Sequence, residues 1–196
     1  MKKTDRDKSM KQIDAINTIV AFARTVHLKR ALSSVESDPE LNFWRVVHGN
    51  CTDIAAVEWC KLFGSDREQT HWKNVVPNEG HSKFRKGLFE ATGMEEPAWL
   101  KYREEIVFFR NTLAAHMDIW VNRAKQYPVY DAALTAAYYY YDWISENAID
   151  SGLLVQHEIR SYCRDFEAHS KSVAIAAFKS TSEIRDLNPD DYKIHR

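Results

Sequence analysis

Hydrophobic residues recur along most of the chain at steps of three and four positions, the spacing that places them on one face of an α-helix. The first stripe runs from Met10 to about Leu32 and the last from about Leu153 to Lys179. Glycine and proline separate these long stretches and do not recur at the short intervals typical of a β-sandwich. The pattern predicts an all-α protein, an up-and-down antiparallel bundle of about five to six helices.

Helix-capping residues set the predicted boundaries. The second helix begins at Asp38-Pro39-Glu40, because Asp can accept first-turn amide hydrogens and Pro fits the first helical position. It is predicted to end at Gly64 in a left-handed cap, and a short helix to stop at Gly93 in the same way. After the first helix, the predicted helices span residues 38–64, 81–91, 97–125, 131–147 and 153–179.

The segment between Ser65 and Gly80 contains mostly polar residues and is longer than the usual connection between bundle helices. It is therefore predicted to be a lid or a surface loop outside the core. No repeat or composition shift divides the chain, so we expect a single helical domain at 1–180 and a tail at 181–196.

Two of the later helices carry unusual apolar patterns. The fifth contains four successive tyrosines, Tyr138 to Tyr141, which cannot all face one core and must meet another element or another subunit. The sixth has a continuous stripe with alternating three- and four-residue steps, typical of an antiparallel bundle or a coiled pair of helices. That stripe consists of Val155, Ile159, Tyr162, Phe166, His169, Val173 and Ala176.

Composition and charge exclude several classes of protein. A chain of 196 residues with 44% hydrophobic residues can form one sizeable core without disulfides or metal. Its net charge of −1 gives no broad positive field, so DNA is not expected as a partner. Three cysteines without a CxxC pair indicate neither a disulfide framework nor a zinc site. No apolar run is long enough for a membrane span, which favours a cytoplasmic protein without a membrane partner.

Common catalytic motifs are absent from the sequence. It has no glycine-rich phosphate loop, no GxSxG nucleophile elbow and no HExxH zinc motif. The single Glu-x-x-His pair, Glu68 with His71, falls in a predicted loop, whereas di-iron bundles need two such pairs on helices. We therefore expect neither a metal nor another cofactor.

The helix beginning at Pro97 carries the strongest chemical signal. Its apolar stripe consists of Trp99, Tyr102, Ile106, Phe109, Leu113, His116 and Trp120. His116 thus lies on the apolar face, and Arg110 lies at the edge of that face. No acidic residue occupies the positions three and four away from Arg110, so an external anion is a plausible partner for its charge.

An arginine and a histidine are sufficient to split RNA without a metal. Histidine titrates near neutral pH, so His116 could take the 2′-hydroxyl proton or protonate the leaving oxygen. Arg110 could stabilise the charge that develops on the phosphoryl oxygens. Two side chains on one straight helix do not fully converge, and we therefore expect two copies of this helix to meet in a homodimer.

Arg110-Asn111, followed by four residues and His116, resembles the Arg-polar-x(n)-His signature of the HEPN (higher eukaryotes and prokaryotes nucleotide-binding) superfamily. The stretches VEWCKLFG at 57–64 and EQTHWK at 68–73 resemble the AbiU-type abortive-infection branch, a likeness covering about 41–143. The resemblance implies a small helical bundle. Many members are dimeric, metal-independent endoribonucleases of toxin–antitoxin, abortive-infection and other defence systems, whereas others are non-catalytic.

Carried over by position, the resemblance makes Arg110 and His116 the catalytic pair and Asn111 the polar residue that orients them. His71 and Trp72 match the branch pattern and become candidate substrate-binding residues. The leading hypothesis is a homodimeric RNase that leaves a 2′,3′-cyclic phosphate, with a possible antitoxin or regulatory protein as partner. The alternative is a non-catalytic module for dimerisation, nucleotide binding or protein interaction, in which Arg110 and His116 only build the subunit interface.

Overall fold

The computed structural model describes residues 3–35, 41–114, 127–148 and 158–186. Within these ranges all regular structure is helical, which confirms the predicted all-α bundle, with seven α-helices where five to six were expected. None of the described helices is long and apolar enough to cross a membrane. The helices are α1 (Lys3–Ser33), α2 (Asn42–Trp59), α3 (Trp72–Val75), α4 (His81–Thr92), α5 (Glu96–Phe109), α6 (Asp131–Glu146) and α7 (Ile159–Thr181).

Helix α1 runs through the bundle and contacts α2, α6 and α7. It begins at Lys3, well before the predicted start at Met10, and in this extension Arg6, Asp7 and Lys8 are exposed while Ser9 is buried. Its inward face is fully buried at Ala15, Ile19, Phe22 and Ala23. These side chains supply much of one continuous hydrophobic core.

Trp59, the last residue of α2, lies fully buried in that core. Ring centroids of Phe63, Trp99 and Tyr102 lie 5.3, 5.9 and 6.1 Å from its ring. The apolar face predicted for the helix at Pro97 is confirmed over α5, where Trp99, Ile106 and Phe109 are buried. This face packs inside its own chain, so its described part is not available to a second copy.

The four successive tyrosines of α6 reach different elements, as their spacing required. The Tyr138 hydroxyl lies 2.7 Å from Nε2 of the buried His27 on α1. The Tyr139 ring lies against Gly87 on α4 so closely that a Cβ there would come within 2.3 Å of its hydroxyl. Tyr140 and Tyr141 are buried in the core. Packing within one chain therefore accounts for the run without a second subunit.

The predicted glycine cap is confirmed at the helix end where the glycine has a positive φ. Gly93 has φ = 65° and ends α4, as predicted. The predicted start of the second helix at 38–40 lies outside the described residues. Helix α2 begins at Asn42, whose backbone N–H donates to both carboxylate oxygens of Asp186 at 2.8 and 3.0 Å. Part of the predicted tail at 181–196 therefore caps α2.

The predicted stripe of α7 is wrong in register. Tyr162 and Val173 are 39% and 53% exposed, and His169 and Ala176 are also exposed. Ile159 belongs both to the predicted stripe and to the buried face. Val155, the first residue of the predicted stripe, lies outside the described residues. The side chains that α7 buries are Ile159, Cys163, Ser170, Ala174 and Phe178. Close packing on α1 selects the small side chains in this set, which hydropathy ranks below their larger neighbours.

Candidate functional site

Helix α5 was predicted to continue unbroken to about Lys125, but its α-helical turns end at Phe109. Residues Arg110–Ala114 form a π turn, in which backbone hydrogen bonds span five residues. The rise and rotation of an α-helix therefore do not apply over Arg110–Ala114. His116 lies outside the described residues, as do Trp120 and the side chain of Leu113. The structure does not test the geometry of the pair Arg110 and His116.

A second π turn, Cys60–Gly64, follows α2 and packs beside α5. Arg103 of α5 clamps its carboxyl end, because Nε donates to the carbonyl oxygen of Phe63 at 2.7 Å and Nη2 donates to that of Gly64. The Arg110 guanidinium lies near the thiol of Cys60 at the other end. Two arginines seven positions apart thus lie at the two ends of one turn.

Arg110 is half-buried, and its charge has no carboxylate partner in the described part of the chain. Its Nε is buried without a hydrogen-bond partner among the same residues. Burial raises the pKa of the Cys60 thiol, although the nearby positive charge of Arg110 opposes that shift. The neutral thiol cannot balance the guanidinium, so Arg110 can accept an external anion.

Asn111 follows Arg110 in sequence but is exposed, whereas Arg110 is half-buried in a turn that packs against α2. Together with the exposed residues Glu104 and Phe108 of α5, Asn111 forms a group that runs from α5 into the π turn, which we call the outer stripe. The two residues of the predicted site are therefore both present at the start of the π turn, on different sides of the helix.

The prediction that residues 65–80 form a surface loop or lid is wrong for its middle part. His71 and Trp72 are buried, with 3% and 7% of their surfaces exposed, and Trp72 begins the short helix α3. The ring nitrogen Nδ1 of His71 accepts a hydrogen bond from the backbone N–H of Lys73 at 3.3 Å. The Trp72 ring stacks on Phe84, with centroids 4.8 Å apart. Hydropathy alone does not reveal such partners.

His71 and Trp72 line a cavity of about 240 Å³ between α3, α4 and α5. Arg110 is not among the cavity residues, so the structure does not bring it together with His71 and Trp72. Arg103 connects the two places, since it lines the cavity and precedes Arg110 by about 10 Å along the helix axis. Sequence reasoning does not single out Arg103 or Cys60. The seven-residue spacing of the arginines, which repeats one helix face, is the signal that points to Arg103.

Comparisons with known proteins identify no relative of this chain. No family model, curated protein or solved structure matches the chain. Within the described ranges, no group of three or more His, Cys, Asp and Glu side chains is placed to hold a metal ion. The candidate site remains the one that the sequence predicts, Arg110, Asn111 and His116, of which the structure describes Arg110 and Asn111.

We expect buried His71 to make the fold sensitive to acid. Burial, with a smaller effect of Lys73, lowers the pKa of His71 to about 4. In the unfolded chain the group titrates near pH 6.5, so the unfolded state binds the extra proton between these two values. Stability should fall as pH drops through this window, by about 2 kcal/mol at pH 5 from this group. Urea unfolding at pH 7 and pH 5 measures the loss.

A His71→Asn variant keeps an acceptor for the Lys73 amide and has no titrating ring. It should lose about 2 kcal/mol less than wild type between the two pH values. Equal losses in both proteins would show that His71 does not govern the acid response.

Position 64 requires glycine because the space around its Cα is crowded. The structure gives it no positive φ, so the predicted left-handed cap is wrong. A Cβ there would lie 2.8 Å from Cβ of Cys60, inside the π turn. Gly64→Ala should therefore destabilise the fold by about 1–3 kcal/mol in urea unfolding. Gly49→Ala is the matched control, because a Cβ at Gly49 in α2 meets nothing within 4 Å. That variant should gain about 0.5–1 kcal/mol, and a similar response at both glycines would contradict the crowding at Gly64.

Proposed function

We propose that the protein is a HEPN-type, metal-independent endoribonuclease, with Arg110, Asn111 and His116 as its catalytic residues. One observation carries the proposal: Arg110 is a half-buried cation with an unpartnered Nε and no carboxylate in contact among the described residues. A charge held this way costs desolvation energy that a bound anion offsets. The phosphate of RNA is such an anion, and the planar guanidinium of arginine can donate two parallel hydrogen bonds to its oxygens.

The reaction would use the two sides of the scissile phosphate. His116 removes the proton from the ribose 2′-hydroxyl, and the oxygen attacks the adjacent phosphorus. The bond from phosphorus to the 5′-oxygen breaks, and that oxygen takes a proton from a protonated His116 to leave as a hydroxyl. Arg110 stabilises the negative charge on the non-bridging oxygens, and Asn111 orients the group. The products are a 2′,3′-cyclic phosphate and a 5′-hydroxyl, and the reaction needs no cofactor.

A homodimer is part of this proposal. The apolar face of α5 is buried in its own chain, so the contact must use another surface. The outer stripe of Glu104, Phe108 and Asn111 is exposed, with Phe108 at 44%, and it leads directly to Arg110. Pairing the stripes of two copies would place both catalytic sets at one interface. We place the enzyme in the cytoplasm, in toxin or phage-defence biology, with an antitoxin or regulatory protein as a further partner.

The test is incubation of the purified chain with mixed RNA in excess EDTA, followed by mapping of the fragment ends. We expect fragments with 2′,3′-cyclic phosphate and 5′-hydroxyl ends. A His116→Ala sample purified in the same way identifies a contaminating nuclease, because a contaminant cuts equally in both samples. Intact RNA in the wild-type sample, from folded and dimeric protein, would favour a non-catalytic dimerisation or binding module.

A further inference from the structure

A groove lies between α2 and α7, over the second half of α1, and the proposed cleavage reaction does not use it. Both α2 and α7 pack along α1 but have few contacts with each other. Leu28 and Leu32 of α1 form the floor of the groove. Trp44 and Val47 of α2 form one wall, and α7 forms the other. The groove has a volume of about 300 Å³, which is enough for a small ligand.

The lining of the groove is mostly aliphatic. Helix α7 contributes Val173, Ala174 and Ala177 to its wall. In the described part of the chain, the lining includes no Lys, Arg, Asp or Glu side chain. The wall on α7 rises about 10 Å from Ser170 to Ala177, so the groove is elongated along the helix axes. An elongated aliphatic slot suits an unbranched alkyl chain.

Trp44 closes one end of the groove. Its indole N–H donates to the hydroxyl of Thr181 at 3.1 Å, and its ring packs edge-on against Phe178 with centroids 4.5 Å apart. Because the indole N–H is already used, Trp44 offers a ligand only apolar surface. A polar head group must therefore lie at the other end, beside His169 and Ser170, which we call the polar end.

Ser170 supplies a hydrogen-bonding group at the polar end. It is only 7% exposed, and it lines the groove. The hydroxyls of Ser172 and Ser180 on the same helix donate to carbonyl oxygens four residues earlier, whereas that of Ser170 has no hydrogen-bond partner among the described residues. A buried hydroxyl without a partner is unfavourable, and a polar group of a ligand can satisfy it.

The charge near the polar end favours an anionic head group. The guanidinium of Arg24 lies 5.1 Å from the ring centre of Phe166, one helical turn before Ser170. Arg24 takes part in no ion pair among the described residues. The carboxylate of Glu167, on the same turn of α7, contacts His27 instead. The positive charge of Arg24 is therefore free to attract a negatively charged group.

We propose that the groove binds a medium-chain carboxylic acid, with its alkyl chain along the aliphatic lining and its carboxylate at the polar end. The carboxylate accepts hydrogen bonds from the Ser170 hydroxyl and the His169 ring, and Arg24 adds positive charge. The volume of the groove equals that of about ten water molecules in the liquid, which corresponds to a chain of about ten carbon atoms. The groove contains no residue of the proposed catalytic set, so binding does not depend on RNA cleavage.

Isothermal titration calorimetry with sodium hexanoate, octanoate, decanoate and dodecanoate, each below its micelle concentration, tests the proposal. Decanoate should bind with a dissociation constant of about 0.1 mM or tighter. Affinity should rise about threefold for each methylene group from hexanoate to decanoate, because each one removes apolar surface from water. From decanoate to dodecanoate it should rise by less than about twofold in total, because the groove is then full.

Decyltrimethylammonium is the control ligand, since it has the same chain length and the opposite charge. It should bind at least about tenfold more weakly than decanoate. Absence of decanoate binding, or equal binding of the two ligands, would overturn the proposal. A rise that continues at the same rate through dodecanoate would do so as well, because it would show binding to an unbounded apolar surface.

Ala177→Trp locates the site, because it fills the groove from α7 and should abolish decanoate binding. Ala176→Trp is the matched control, since Ala176 is the exposed neighbour on the same helix and does not line the groove. It should bind decanoate as wild type does. Unchanged binding in Ala177→Trp would place the acid elsewhere and contradict the assignment. Thermal unfolding shows whether each variant is folded.

Ser170→Ala tests the head group without filling the groove, so it remains informative if Ala177→Trp does not fold. It should weaken decanoate binding by about tenfold, because the carboxylate loses a hydrogen bond. Ser172→Ala is the matched control, since the hydroxyl of Ser172 donates to the backbone of its own helix. It should keep wild-type affinity. Equal affinities of Ser170→Ala and wild type would overturn the placement of the carboxylate at the polar end.

Discussion

RNA cleavage in EDTA should slow by about 100- to 10,000-fold when His116 is replaced by alanine. His116 is the residue proposed to move protons in the reaction, and a positioned proton-transfer group contributes a factor of this size. Alanine cannot exchange a proton, so the remaining rate reflects binding and Arg110 alone. The measurement is the single-turnover rate on a fluorescent RNA, taken from pH 5 to pH 8, where wild type should show a histidine-dependent profile.

His169→Ala is the matched control, because His169 is exposed on α7, a helix that is not part of the proposed site. It should cleave at the wild-type rate. Comparable rates for wild type and His116→Ala, both folded, would remove His116 from the catalytic set. A rate near that of wild type would contradict the assignment even if the pH profile of cleavage were shifted, since alanine cannot transfer a proton at that position.

Arg110→Gln should slow cleavage by about 100- to 1,000-fold and change the free energy of unfolding by less than about 1 kcal/mol. A donor aimed at developing phosphoryl charge contributes a rate factor of this size. Stability should hardly change because Arg110 has no carboxylate partner in the described residues, and glutamine removes a half-buried charge whose desolvation is unfavourable. Urea unfolding and single-turnover cleavage measure the two effects on the same samples.

Arg45→Gln serves as the matched control, since Arg45 is exposed on α2. It should leave both cleavage and stability near wild type. A large loss of stability in Arg110→Gln with wild-type cleavage by the folded fraction would make Arg110 a structural residue. This pairing separates a functional arginine from one that only fastens the π turn to α5.

The features that sequence predicts well are those determined by residues close together along the chain. Gly93 ends α4 because its backbone has φ = 65°, which glycine adopts without strain. The apolar stripe through Trp99, Ile106 and Phe109 is regular, and it is buried as expected. Arg110 lacks acidic neighbours at helical spacing, and the described structure agrees.

The elements that sequence predicts poorly depend on tertiary partners. Nothing in residues 110–114 signals a π turn, and these residues pack against α2, which is distant in sequence. His71 counts as polar in any scale, yet the Lys73 amide and burial beside Trp72 place it in the core. At Gly64 a Cβ would collide with the side chain of Cys60, and a local rule for glycine caps does not include this crowding.

The capping of Asn42 by Asp186 has a consequence for how the chain acquires its fold. The two residues are 144 positions apart, so the first turn of α2 leaves the ribosome long before its cap does. Helix α1, which is made earlier still, packs against α2, α6 and α7. Contacts this distant in sequence slow folding, because a long loop must close before they form. During synthesis α2 can therefore cover its side of α1 early, whereas the side that packs against α7 stays uncovered until the last helix has been made.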